Sequence, residues 1–227
     1  MASRRKCEEL IAAGRVTING ETVSVLGTKV DPEHDRVQVD GERIAAPREH
    51  TYILLHKPAG VVSTARDPQG RRTVLDLVPK GKRLYPVGRL DVDSEGLLLL
   101  TDDGELTQRL THPSHEQEKE YQVWVDGQPS KQALSMLRAG VVLEDGRTRP
   151  AQVRVLRGEQ GGTWLRFVIH EGHKRQLRRM CRAVGHRVRR LIRVRMGPLT
   201  LDDLPPGKHR PLTAKERSLL RRSAGLS

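Results

Sequence analysis

Apolar residues in this chain come in short runs that end at Gly, Pro or Asp. "YILLH" (52–56), "GVVST" (60–64), "GLLLLT" (96–101), "EYQVWV" (120–125), "AQVRVL" (151–156) and "TWLRFVIH" (163–170) each have strand length and strand composition. Helical spacing is confined to "SKQALSMLRAG" (130–140) and "KRQLRRMCRAVGH" (174–186), with a short helix expected from Thr213 to Arg222 in the tail. In the second stretch Leu177, Met180, Cys181 and Val184 fall at i, i+3, i+4 and i+7, an inward stripe. This pattern predicts an α+β fold with a mixed, largely antiparallel sheet, because strand–helix alternation of the doubly wound kind is absent.

The first 46 residues follow another rhythm. Ser3 suits an N-cap, "RRKCEELIAA" reads as a helix, and Gly14 is placed to stop it. "RVTING" alternates and turns at Asn19–Gly20, with "TVSVLGTKV" and "DRVQVDGERI" as further strands. The expected organisation is a small α/β unit over 1–46, a Pro-marked linker over 47–51, and a larger unit over 52–227.

Charge changes the picture. The chain holds 41 Lys+Arg against 28 Asp+Glu, a formal charge of +13, so an anionic polymer is the first partner to expect. Residues 1–50 are nearly balanced, yet Arg4, Arg5 and Lys6 sit in a first helical turn where the macrodipole disfavours cations. They are read as phosphate contacts, against the alternative of a merely solvated end. Residues 171–195 carry ten Lys or Arg and one acid. Read as a basic helix, most of these cations would track a nucleic-acid backbone, while Arg178, at the edge of the apolar stripe, would pair with a buried acid. Six aromatic residues are too few for a row of base-stacking rings. No apolar run is long enough for a bilayer, no signal-like segment opens the chain, and Cys7 and Cys181 form no pair, which suits a cytoplasmic protein.

"VGRLDVDSEGLLLLT" (87–101) places acids at 91, 93 and 95 ahead of four leucines. A calcium loop fits poorly: position twelve is Asp102 rather than Glu, and the second half of the loop reads as a buried strand. The histidine pairs 112/115 and 170/173 have no carboxylate or Cys spacing to complete a metal site, so no metal is expected. What remains is a carboxylate, Asp91, held between Leu90 and Val92 at a cleft, with Arg178 as the cation that keeps it charged. Such an Asp acts as nucleophile or general base.

At these residues the chain resembles the RsuA/RluB/RluE/RluF group of pseudouridine synthases. "PVGRLDVDSEGLLLLTDDGEL" is similar to the group's central motif, "LLHKPAGVVST" to its first, "EKEYQVWV" to its K-x-Y element and "EGHKRQLRRMCRAVGHRVRRLIRVRMGPL" to its closing motif. The first 45 residues resemble the S4 RNA-binding domain, without the helix that usually leads it. The resemblance implies that Asp91 is the catalytic aspartate, acting at ribose C1′ or on a 2′ proton. Tyr121 would stack on an extruded uracil, Arg178 pair with Asp91, Arg89 occupy the space the base leaves and Leu191 pack on the ring. Lys57, Lys119, Asp93 and Glu95 would support them, and Lys174, Arg175 and Arg179 would contact RNA. No cofactor is implied. The flanking residues look most like the branch acting on large-subunit (23S) ribosomal RNA, free or in a pre-ribosomal particle, by a monomeric enzyme. The same chemistry on small-subunit rRNA or tRNA, and a non-catalytic RNA-binding role in ribosome assembly, stand as rivals.

Overall fold

The computed structural model describes residues 4–31, 34–44, 49–112 and 117–226, with Arg4 described by its backbone alone. Ser3, the expected N-cap, and 45–48, which include the first two residues of the expected linker, lie outside the described residues. The chain divides into two compact units, Met1–Glu49 and His50–Ser227.

In the first unit, helix α1 (Arg4–Ala12) ends at Gly14, whose φ of +68° lets its N–H reach the Ile11 carbonyl at 2.9 Å. Strands β1 (Val16–Ile18), β2 (Glu21–Thr22), β3 (Val37–Val39) and β4 (Glu42–Arg43) form an antiparallel sheet in the order β2-β1-β3-β4. Asn19–Gly20 and Asp40–Gly41, all at positive φ, make the two tight hairpin turns. Of the expected strand "TVSVLGTKV" only Thr22 is kept, at the end of β2. Beyond it Gly27 turns at φ +84° and Thr28 Oγ1 donates back to the Val25 carbonyl at 2.8 Å, which ends the extended path.

The second unit opens with β5 (Tyr52–Lys57), the 3₁₀ turn Val74–Leu77, β6 (Tyr85–Pro86), β7 (Glu95–Thr101) and α2 (Gly104–Thr111). Then come β8 (Lys119–Asp126), α3 (Lys131–Ala139), the hairpin β9 (Val142–Leu143) and β10 (Gly146–Arg147), β11 (Gln152–Glu159) and β12 (Gly162–Ile169). Helix α4 (Gln176–Ala183), β13 (Val188–Met196), β14 (Leu199–Thr200), β15 (His209–Pro211) and α5 (Ala214–Ser223) complete it. The main sheet runs β11-β12-β8-β13-β7-β5-β15, with β14 beside β13 and β6 beside β7. Every pairing in it is antiparallel except β13 with β7, so the architecture is α+β with a mixed, largely antiparallel sheet.

Several expectations need correction. "GVVST" forms no strand; Val62 makes an isolated bridge to Thr73. The helix over 174–186 shortens to 176–183, because Arg175 takes the left-handed conformation at φ +52° and Gly185 turns out at φ +85°. Its basic continuation is the strand β13, so the cations of 171–195 are split between a loop, a helix and a strand. Helix α2 was not foreseen. Asp103 caps it by accepting from the Leu106 N–H at 2.9 Å, and Leu106 and Leu110 bury its inner face. The tail helix matches closely, with Thr213 and Glu216 forming a capping box.

Strands β5 and β7 are buried on both faces. Ile53, Leu55, Leu98 and Leu100 join a core covered by α3 and α4, whereas Tyr52, Leu54, Leu97 and Leu99 join one covered by α2 and α5. The run of four leucines is explained by this double covering. Toward β8 and β12 the inner face still joins the first of these cores through Val123, Val125, Leu165 and Phe167. Across these two strands Trp124 and Trp164 face each other, ring centroids 6.5 Å apart, with the Arg157 guanidinium over Trp164.

The segment after β5 clamps the turn ahead of β7. Lys57 is fully buried, and its ammonium donates to the carbonyls of Ser94 (2.7 Å), Asp91 (3.0 Å) and Pro58 (3.1 Å). Gly60 N–H donates to the Val92 carbonyl, and Ser63 Oγ bridges both backbone groups of Leu90. The turn itself closes with Ser94 N–H on the Asp91 carbonyl at 3.0 Å. Burial pushes the Lys57 ammonium down to about 8, with Asp93 and Asp91 opposing. Next along β7, Gly96 pairs with Arg193 of β13 at φ +110°, and a Cβ there would collide with the Arg193 backbone.

Lys57→Met leaves the Pro58 and Ser94 carbonyls without a donor among the described residues. It should cost about 1–3 kcal/mol in urea unfolding at neutral pH. The folded chain sheds the Lys57 proton near pH 8, well below the ordinary 10.5 of the unfolded chain. Between those values the unfolded state binds more protons, so this component of stability rises with pH, by at most about 1.4 kcal/mol per unit. The wild type should therefore gain stability over Lys57→Met across that window; a constant difference refutes the linkage. Gly96→Ala should destabilise by about 2–3 kcal/mol through overpacking against the parallel neighbour, read from the same unfolding curves.

Candidate active site

A cleft of about 660 Å³ opens beside the clamped turn, a volume ample for a nucleotide. Its wall is assembled from distant stretches: Arg89 to Asp91 ahead of β7, Lys119 and Tyr121 on β8, the loop 169–175 into α4, and Leu191 and Arg193 on β13. Alternation on the strands explains the choice. Lys119, Tyr121 and Val123 share one face of β8, and Tyr121 lies directly across from Arg193. Tyr121 and Leu191 are nearly closed off by the core, at 8% and 6% exposure, and offer apolar surface to the cleft. Arg89 is exposed on the rim.

Asp91 is not the buried acid the sequence suggested. Its side chain keeps 39% of its exposure, and its nearest guanidinium belongs to Arg175, Nη1 to Oδ2 at 3.8 Å. The expected Arg178–Asp91 pair is replaced by a network on Asp93. Arg175 grips Asp93 with two hydrogen bonds of 2.9 and 3.0 Å. Arg178 donates to the Asp93 carbonyl at 2.8 Å and to the Val188 carbonyl at 3.2 Å, with Nε 3.4 Å from the Asp93 carboxylate. Arg175 Nη1 lies within 4 Å of both carboxylates, whereas the boundary arginine comes that close only to the second. The hydrogen bond from Arg175 holds the Asp93 carboxyl below its usual range, and burial lowers the Arg178 guanidinium against the pull of Asp93. Both arginines line the cleft, so Asp91 faces a cationic wall without being locked to it. Arg175 accepts its left-handed backbone while making these contacts, a strained geometry of the kind found at functional sites.

The expected phosphate contacts divide. Arg175 is committed to Asp93 and Arg179 to Asp145, at 2.7 and 2.9 Å. Arg189, Arg190 and Arg195 of β13 are likewise paired, with Asp126, Glu95 and the Glu118–Glu120 pair. Among the described residues, Lys174, Arg182 and Arg187 are exposed with no acid in ion-pair range, and Lys174 stands at the mouth of the cleft. In the first unit Lys6 pairs with Glu9 at 2.8 Å, Arg5 is exposed, and the Arg4 side chain lies outside the described residues. His115 also lies outside them. His112, His170 and His173 line the cleft, His173 within 3.4 Å of Glu171. Among the described residues no three metal-ligating side chains gather, and no helix is long and apolar enough to cross a membrane.

One cleft residue, Arg193, and one residue that holds the cleft's wall, Ser63, escaped the reading of the sequence. Arg193 was counted as one more helical cation, although the alternation Leu191–Arg193 in "RVRRLIRVRM" is a strand signal. Ser63 carried no charge to draw notice, and only the clamp on Leu90 reveals its place.

The pattern of the RNA pseudouridylate synthase family matches residues 51–183, and that of the S4 domain matches residues 1–35. An uncharacterized RNA pseudouridine synthase of Aquifex aeolicus (strain VF5) is 43% identical over 228 residues, 100% of this chain and 91% of that protein. Ribosomal large subunit pseudouridine synthase B of Bacillus subtilis (strain 168) is 44% identical over 224 residues, 97% of this chain and 91% of that one. A crystal structure of a pseudouridylate synthase superposes with a TM-score of 0.70 at 32% identity, covering 96% of this chain and 94% of the other. Joined to a cleft lined from separate stretches of the chain, these matches place the chain among the RNA pseudouridine synthases, with an S4 domain ahead of the catalytic fold.

Proposed function

We propose that this enzyme isomerises a uridine of large-subunit ribosomal RNA, with Asp91 as the carboxylate that acts on the ribose. The observation that carries the reading is the convergence of Asp91, Tyr121, Leu191 and Arg178 on one cleft. The choice of RNA rests on the Bacillus subtilis relative, named for the large ribosomal subunit and similar along nearly the whole chain.

The target uridine leaves its stack, at a cost of a few kcal/mol, and enters the cleft. Its uracil lies between the Tyr121 ring and Leu191. Asp91, pinned through its backbone by Lys57 and through Leu90 by Ser63, presents its half-exposed carboxylate to the sugar. Either it bonds to C1′, or it removes the 2′ proton. By both routes the C1′–N1 bond breaks and its electron pair departs with the base. The ring turns, C5 bonds to C1′, the carboxylate is regenerated, and the proton displaced from C5 is matched by one gained at N1. No atom or electron is exchanged with a co-reactant. Arg175 and Arg178 fix Asp93 and shape the wall facing the carboxylate, and Arg89 on the rim is placed to fill the space the base leaves. Exposed Lys174 meets the RNA backbone.

Asp91→Asn keeps the shape of the turn, because the clamp uses backbone carbonyls. It should abolish pseudouridine formation on a large-subunit rRNA transcript and leave RNA affinity within a few fold; residual turnover refutes the assignment. Lys174→Gln should lower the slope of log K against log salt by about 0.7–0.9, one phosphate contact. Arg189→Gln, whose charge is already met by Asp126, should leave that slope unchanged. Equal effects of the two would refute the division between free and paired cations.

A further inference from the structure

Arg193 stands apart from the other arginines of β13. It is 3% exposed, whereas its neighbours reach surface carboxylates. Its Nε donates to the Leu97 carbonyl at 2.8 Å, and its Nη2 is buried with no hydrogen-bond partner among the described residues. No acid lies within ion-pair range of it there. A guanidinium nitrogen closed off from water and left without an acceptor is costly, and native interiors supply one. Arg193 also lines the cleft, opposite Tyr121 in register and two residues after Leu191. Lys119 is a second, mostly buried cation in the same wall. It donates to the Gln117 carbonyl at 3.2 Å, and burial, then the charge of Arg193, lowers its ammonium from the ordinary value.

We propose that Arg193, with Lys119 beside it, donates to a carbonyl oxygen of the extruded uracil and stabilises the anion formed when the glycosidic bond breaks. This rests on the reading of the cleft given above. When the C1′–N1 electron pair leaves with the base, the uracil becomes a monoanion whose charge spreads over its ring oxygens. A fixed, desolvated donor aimed at developing charge is the most effective kind of electrostatic catalysis. A backbone phosphate is the poorer occupant. It is tethered to flanking nucleotides that stay outside, and exposed Lys174 and Arg89 already serve the rim, whereas only the base reaches as deep as Arg193. Arg193 becomes a catalytic residue by this contact, and its charge also holds the ring during its turn, before C5 bonds to C1′.

The test compares rRNA transcripts containing uridine or 5-fluorouridine, because fluorine withdraws electron density and makes the departing base a more stable anion. Single-turnover loss of the parent nucleoside at the modified position is measured for wild type, Arg193→Met, Arg193→Lys and Lys119→Met. Arg193→Met should slow cleavage of uridine about 100-fold, the usual loss for a removed oxyanion donor. It should slow 5-fluorouridine much less, so the ratio of the two rates rises severalfold over wild type. Arg193→Lys and Lys119→Met should raise it less. The ratio is independent of the fraction of folded enzyme, so a destabilised variant still reports. An unchanged ratio overturns the assignment, as does an equal slowing of both substrates accompanied by a shallower salt dependence, the mark of a phosphate contact. If wild type is active and the ratio stays flat, only this assignment fails; if wild type forms no pseudouridine, the reading of the cleft itself fails.

Discussion

A buried ammonium holds this active site together. Lys57 carries its charge to the end of an inner strand with no exposure to water, and backbone carbonyls, not a carboxylate, surround it. Such a charge is tolerated only where several dipoles converge, and the turn around Asp91 supplies them. The dependence is mutual. The cation needs the turn to be bent so that its carbonyls point inward, and the turn needs the cation to stay bent. Asp91 gains a fixed position without spending its own carboxylate oxygens, which face the cleft.

The network on Asp93 follows the same logic at one remove. Arg175 and Arg178 carry two positive charges to the wall of the cleft, and Asp93 neutralises part of that charge from behind. The carboxylate two residues earlier is left near the cations but not bound to them. A carboxylate locked in a two-pronged ion pair would be a poor nucleophile and a poor base. Separating the structural acid from the chemical one across a single turn resolves the conflict.

Much of this was legible in the sequence, and the failures have physical causes. The four leucines announced a strand buried on both sides, and Asp91 stood out as an acid wedged against them. The partner of Arg178 was misjudged because Asp91 and Asp93 share one turn, both within reach of Arg175, and no periodicity encodes which of them a distant arginine meets. Residues 171–195 read as one basic helix because Leu177, Met180 and Cys181 set up a helical stripe. The switch to strand after Gly185 is marked only by alternation among residues nearly all charged. Arg193 faces inward because β13 pairs in parallel with β7, a contact nearly a hundred residues distant in sequence. Local pattern carries no information about such a partner. Helix α2 was readable, since Asp103 is a sound cap, but its two buried leucines make a short signal.

The double covering of β7 has a consequence for motion. Its backbone lies between β5 on one side and β13 and β6 on the other, with packed side chains above and below, which makes it the part of the second unit hardest to open locally. Exchange of its amides with deuterated solvent therefore reports the free energy of unfolding that whole unit. The short strands of the first unit, in a compact body of their own, exchange on a separate schedule.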